Sequence, residues 1–273
     1  MGSTALALDL ERRFRIVWER TDRLFELIGP DGVLQRPITL RHPFIFYVGH
    51  LPAFAWNHVC RRRLERPSFN PRFDEIFDRG IDPDVDDPTQ CHAHPEVPDA
   101  WPGRLEVHAY RDRVRAEILT SLDDGSAADP RVLLMVLEHE QMHQETLLYM
   151  IQRLPLAWLV RPALTSVYAL GDALRARPIE IDAGHATLGV DLDGLDFGWD
   201  NEFPRITVAV PRFVIGSTPV TNGEFLEFVK IGGYAHPDVW DGDDWRWKQA
   251  AGLAHPLAWT NRGGVWSHRT LVD

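Results

Sequence analysis

The stretch Asp129–Arg153, DPRVLLMVLEHEQMHQETLLYMIQR, decides how this chain is read. Asp129 is a natural helix cap, and Pro130 suits the first helical position, where its missing N–H goes unused. Leu133, Val136, Leu137, Glu140, Leu147, Leu148 and Ile151 fall at mixed helical spacings. The pattern predicts one long helix, apolar around much of its circumference and interior. Within it His139 and His143 stand four residues apart, on one face and one turn from each other. Two imidazoles so placed are able to grip one metal ion. A chain with 12 histidines holds about half a pair at this spacing by chance, so the pair alone equally describes two satisfied core histidines. The rest of the chain has to decide.

Its 273 residues leave room for two domains and a sizeable core. With 44% apolar and 25% charged residues and no low-complexity tract, the composition is that of a globular protein. Most of the 10 tryptophans lie in the second half, so the halves differ in kind. A net charge of −11 argues against nonspecific nucleic-acid binding, which needs a basic surface to displace counterions. Two cysteines, Cys60 and Cys91, are too few for a disulfide framework and fit a reducing cytosol. No apolar run approaches the ~18 residues of a membrane span, and the first residues carry no signal-peptide h-region. A cytoplasmic protein with neither membrane nor nucleic acid as partner is expected.

In the first half, apolar positions at helical spacing from Asp9 to Ile28 predict a helix stopped by Gly29-Pro30-Asp31-Gly32. A second helical pattern, PFIFYVGHLPAFAWNHVCRRRL from Pro43, places Phe46, Tyr47, His50, Ala53, Phe54 and Asn57 on one face. Pro52 is expected to kink it close to His50, and Gly49 to admit a close neighbour. A lone histidine there is more often a satisfied core residue than a ligand. Residues 67–103, rich in Pro and Asp, read as a long connection without regular structure. Its Cys91, His92 and His94 match no zinc spacing and read as solvated loop. A third helix carries the stripe Val107, Tyr110, Val114, Ile118 and Leu122 and ends at Asp123-Asp124-Gly125. Four amphipathic helices predict a four-helix bundle, in whose core facing helices build metal sites. The bundle gives His50 a reason to meet His139 and His143. Three imidazoles leave three positions open on an octahedral metal, and nitrogen ligation suits Fe, Zn, Ni or Cu alike. Among the nearby carboxylates Glu138, Glu140 and Glu145, one is a candidate to orient an imidazole, with solvated helix surface as the default.

After Arg177-Pro178 the pattern changes to strands, one in PIEIDAGHATLGVD ending in a Gly turn and two more short ones in PRITVAVPRFVIGSTPVT. A short helix follows in TNGEFLEFVKIGGY, capped by Thr221 or Asn222. The remainder, with Trp240, Trp245, Trp247, Trp259 and Trp266, reads as irregular. Asp191, Asp193, Asp196 and Glu202 resemble a calcium loop, but Asp196 and Leu195 occupy positions that need Gly and a ligand, so it is not an EF-hand.

Taken together, YVGHLPAFAWN (Tyr47–Asn57), EHEQMHQETLLYM (Glu138–Met150), FGWDNEFPR (Phe197–Arg205) and PVTNGEFLEFVKIGGY (Pro219–Tyr234) resemble the ergothioneine-biosynthesis sulfoxide synthases. The resemblance covers nearly the whole chain. It implies a multi-domain α and α+β protein: a DinB-like four-helix metal-binding bundle over residues 1–160, then part of a C-type-lectin-like, formylglycine-generating-enzyme-like domain over 178–273. It implies an iron(II) site held by His50, His139 and His143. The implied reaction joins a thiol, γ-glutamylcysteine or cysteine, to Nα-trimethylhistidine with dioxygen, giving a sulfoxide. Related branches use histidine itself or a selenium donor. The family has a Gln contacting the histidine-derived substrate where this chain has Met142, and Glu145 is the closest candidate for orienting a ligand. By the same resemblance the catalytic tyrosine falls beyond Asp273, so a truncated chain is expected. A DinB-type thiol transferase, using Zn or Ni and no oxygen, and a non-catalytic metal-binding fragment are the competing readings.

Overall fold

The computed structural model describes residues 2–78, 100–126, 129–161 and 176–271. The chain divides into two compact units, the first built chiefly from Met1–Ala163, the second chiefly from Leu164–Leu192 and Trp199–Leu271. The first is helical: α1 (Gly2–Glu26), α2 (Phe44–Ala55), α3 (Pro71–Ile76), α4 (Arg104–Asp123) and α5 (Pro130–Arg153). α1 packs on α4 and α5, and α2 packs on the same two helices, so the four long helices close around one core. Phe14, Phe44, Ile118, Leu133, Leu147 and Met150 are fully buried there.

The caps form as the side chains dictate. Asp129 Oδ1 accepts from the Arg131 N–H at 3.1 Å, and Pro130 opens α5. All five residues of the expected α4 stripe are buried. α1 begins well before Asp9 and gives way at Glu26. α2 runs through Pro52 without ending, and the chain then winds wider, as a π-helix, from Trp56 to Arg63. The disturbance expected at the proline is thus taken up downstream rather than as a break.

Two expectations change. It is α2, with 11 of its 12 residues buried, that forms the interior helix. α5 is apolar on its inner side only, and Met142, Leu148 and Tyr149 are 46%, 41% and 39% exposed on the other. Moreover, residues 67–103 are not without structure. Asn70 Oδ1 accepts from the Phe73 N–H at 3.1 Å and Pro71 follows it, so α3 starts with a cap and a helix-opening proline. Buried Asp74 ties α3 to the bundle by accepting from Tyr110 Oη–H at 2.8 Å and Trp56 Nε1–H at 3.2 Å. Cys91, His92 and His94 lie outside the described residues.

The second unit carries three antiparallel pairs: β1 (Pro178–Ile181) with β4 (Phe213–Gly216), β2 (Gly184–Leu188) with β3 (Ile206–Val210), and β5 (Trp259–Arg262) with β6 (Val265–His268). α6 (Asn222–Lys230) opens on a reciprocal cap, Thr221 Oγ1 accepting from the Glu224 N–H and Glu224 Oε2 from the Thr221 N–H. The tail expected to be irregular contains α7 (Gly242–Ala250) and the β5–β6 hairpin. The hairpin turns on Gly263 and Gly264, with φ of 59° and 87°, values that a two-residue turn of this hand demands and glycine supplies. In the rejected calcium loop Asp191 pairs with Arg205 at 2.8 Å, and Glu202 Oε2 accepts from the Trp199 N–H. No helix among the described residues is long and apolar enough to cross a membrane.

Replacing Asp74 by Ala strands a buried phenol and a buried indole N–H. The loss is expected to be about 3 kcal/mol, read as a lower urea midpoint, with Asp74→Asn losing less.

Candidate metal centre

α2 and α5 lie side by side, and each turns histidine toward the other. His50 is 2% exposed, His139 is 8% exposed and His143 is half-buried. One ring nitrogen of each lies within 4.8 Å of the other two. The ring centroids are 5.1 Å apart for His50–His139, 5.0 Å for His50–His143 and 4.5 Å for His139–His143, each pair edge to face. Three donors therefore converge from three directions on one small volume.

The rotation of α5 is fixed by the neighbouring i,i+4 pair. Thr21 Oγ1 on α1 donates to buried Glu140 Oε1 at 2.7 Å. Gln144 Nε2 donates to the same hydroxyl and to the Val17 carbonyl, both at 3.0 Å. Positions 140 and 144 grip α1, which leaves 139 and 143 pointed at α2. Burial raises the pKa of the Glu140 carboxyl, and Arg115 opposes that rise.

The rings themselves are held by aromatic and backbone contacts. His50 Nδ1 lies 2.8 Å from the carbonyl oxygen of Phe77, the residue that ends α3. A carbonyl only accepts, so Nδ1 carries the proton and the lone pair sits on Nε2. Phe46 stacks on His50 at 4.9 Å, Phe54 stacks on His139 at 3.6 Å and 7°, and the Tyr47 ring stands 5.4 Å from His143. Phe77 comes this near because position 49 is glycine: a Cβ there would lie 2.5 Å from three carbons of the Phe77 ring.

Burial sets the charge state. Desolvation first, and the neighbouring imidazoles second, hold His139 well below its ordinary pKa and bring His143 to about 3. At neutral pH His139 and His143 are therefore uncharged, the form that ligates metal. His143 Nδ1 is buried with no hydrogen-bond partner among the described residues. Three converging imidazoles, one tautomer fixed by a carbonyl, and an orphaned buried nitrogen fit a first-row divalent metal.

Two model matches span most of the chain: the DinB superfamily over residues 13–147, and the sulfatase-modifying factor enzyme 1-like domain over 173–269. Ergothioneine biosynthesis protein 1 of Neurospora crassa is 36% identical over 228 residues, 78% of this chain and 26% of that protein. The Schizosaccharomyces pombe protein of the same name is 31% identical over 235 residues, 75% of this chain and 30% of its own length. Hercynine oxygenase of Mycolicibacterium smegmatis is 33% identical over 159 residues, 58% of this chain and 37% of its own. The chain belongs to this ergothioneine-biosynthesis family. It spans well under half the length of these curated relatives.

Within that family setting, Met142 sits beside His143 on the open side of α5. Glu145 does not orient an imidazole: it is exposed and has no polar partner among the described residues. The Phe77 carbonyl does that work for His50. Phe77, by contrast, is not marked by any side-chain pattern of its own in the sequence. The signal for its helix was present in Asn70-Pro71, a helix start inside what looked like loop.

Gly49→Ala is expected to push Phe77 away and release His50, lowering divalent-metal affinity roughly 10- to 100-fold while far-ultraviolet circular dichroism stays native. For the metal-free protein the sign of the pH effect follows from His143. With a folded-state pKa of about 3 against an ordinary 6.5, the unfolded chain binds more protons between those values. Stability is therefore full above about pH 6.5 and falls toward pH 3, by about 1.4 kcal/mol per pH unit for each such proton. Urea midpoints between pH 7 and 5 should fall less steeply in His143→Ala than in wild type.

Proposed function

We propose that His50, His139 and His143 hold iron(II) in an oxygen-dependent C–S bond-forming enzyme of ergothioneine biosynthesis, acting in the cytoplasm. Residues 1–160 form its metal-holding domain and 178–273 belong to its formylglycine-generating-enzyme-like domain. The observation that carries this reading is the convergence of three imidazoles, in a chain that matches both domain models in order. A relative named hercynine oxygenase agrees with Nα-trimethylhistidine as the imidazole substrate. Cysteine or γ-glutamylcysteine is the thiol.

In the overall reaction the thiol S–H and one imidazole C–H are lost and a C–S bond forms. One oxygen atom of dioxygen ends on sulfur, and the other leaves as water with both hydrogens. Bound iron supplies the capacity to pass four electrons from the organic partners to dioxygen. The chain's own part is to hold and orient. Phe46 and Phe54 cover the faces of His50 and His139 and keep water from them. Tyr47, whose hydroxyl burial pushes up to about 12, stays protonated beside His143. Pre-set donors let two substrates meet in one orientation, which is where much of the rate in such a reaction arises.

Anaerobic titration of the metal-free chain is expected to show one iron(II) bound, and none in His143→Ala. Adding cysteine or γ-glutamylcysteine with Nα-trimethylhistidine, then oxygen, should consume oxygen and give the sulfoxide by mass. Oxygen-independent thiol transfer that survives deletion of residues 178–273 would instead identify a DinB-type thiol transferase.

A further inference from the structure

Arg41 lies in the turn that leads into α2. Its Nε donates to the Tyr149 hydroxyl at 2.8 Å and its Nη1 to the Leu40 carbonyl at 2.7 Å. The guanidinium carbon stands 5.8 Å from the centre of the Tyr149 ring. Arg36 braces the turn by donating from Nε to the Arg41 carbonyl. What this half-buried arginine lacks is a carboxylate: none pairs with it among the described residues. Three other half-buried arginines do have one. Arg66 pairs with Glu117 at 2.6 Å, while Arg115 and Arg111 pair with Asp22 at 2.6 and 3.2 Å.

Its position matters as much as its freedom. The field of Arg41 reaches both His143 and Tyr47, and the Tyr47 ring is 5.4 Å from the His143 ring. On α5, Met142, Thr146 and Tyr149 follow one another at helical spacing, one step round from His143. Met142 and Tyr149 are open to solvent. So the exposed border of the histidine cluster is apolar along α5 and ends at a fixed cation.

We propose that Arg41 anchors the α-carboxylate of an amino-acid substrate whose reactive end reaches the His50–His139–His143 centre. The proposal rests on the metal-centre reading above. With Nε on Tyr149 and one Nη1 hydrogen on Leu40, the guanidinium still offers the second Nη1 hydrogen and both on Nη2. That is an end-on fork, the geometry that accepts a carboxylate bidentately. Because two hydrogen bonds already hold the side chain, little rotamer freedom is lost on binding.

Two pairs of probes test this on the anaerobic iron(II)-loaded chain by calorimetric titration: L-cysteine against cysteamine, and Nα-trimethylhistidine against its carboxamide. Each second member lacks the carboxylate charge. In wild type at least one pair is expected to show a preference for the carboxylate of roughly tenfold or more, and the responding pair identifies which substrate Arg41 holds. Arg41→Met should erase that preference, Arg41→Lys should keep part of it, and Tyr149→Phe should weaken it. Iron affinity should be unchanged in all three variants. A preference that persists in Arg41→Met, or no preference in either wild-type pair, overturns the assignment. The iron titration on the same samples reports separately on the histidine centre, so its failure is distinguishable from failure at Arg41.

Discussion

Three imidazoles within 4.8 Å of one another are the constraint on which the helical unit turns. Protonating His139 or His143 would bury a cation among neighbouring imidazoles, and desolvation makes that costly. These two rings are consequently tolerable in two conditions, neutral and empty or neutral and bound to metal. The surroundings suit that state: apolar α2 on one side, Phe46 and Phe54 over the ring faces, and a carbonyl at His50 Nδ1 that requires a proton there and leaves Nε2 as the donor. The same features that burden the metal-free fold at low pH prepare the site to ligate at neutral pH.

The two ligand-bearing helices solve the placement problem in the same way, by repetition every fourth residue. On α2 and its continuation the rings of Phe46, His50, Phe54 and His58 follow at that interval, with successive centroids 4.9, 6.3 and 4.3 Å apart. On α5, 139 and 143 face the cluster while 140 and 144 hold α1. A rotation of either helix by a single residue would move every one of these groups at once. Buried polar bonds such as Thr21–Glu140 are therefore specific in effect, because the alternative settings leave a carboxyl unsatisfied.

Much of this was legible before any coordinates. The caps of α5, the buried stripe of α4, the shared face of Phe46, His50 and Phe54, and the two strands of PRITVAVPRFVIGSTPVT with the Thr221-capped helix all follow from spacing and cap chemistry, whereas the one strand expected in PIEIDAGHATLGVD is two, β1 and β2. What spacing did not carry were contacts between segments distant in sequence. Phe77 acts on His50 through a backbone carbonyl, for which any residue type would serve, so no side-chain pattern announces it. α3 was hidden by the acidic and proline-rich stretch around it, although Asn70-Pro71 marked its start. The β5–β6 hairpin is marked by Gly263-Gly264 rather than by the tryptophans around it. Glu145 was favoured for lying near in sequence, whereas it faces away from the cluster's needs, exposed and unbonded among the described residues.

α5 departs from the interior helix that its apolar residues predict. A helix that brings two ligands to a closed core would make a structural metal site, sealed on all sides. Here the ligand helix has an apolar inner side and an open outer one, where Met142 and Tyr149 remain accessible. Leucine and methionine on the outer side made the sequence look uniformly buried, yet apolar residues at a solvent border are what a substrate with an apolar ring or stem would lie against. The interior role falls instead to α2, which contributes one histidine and much of the aromatic cover.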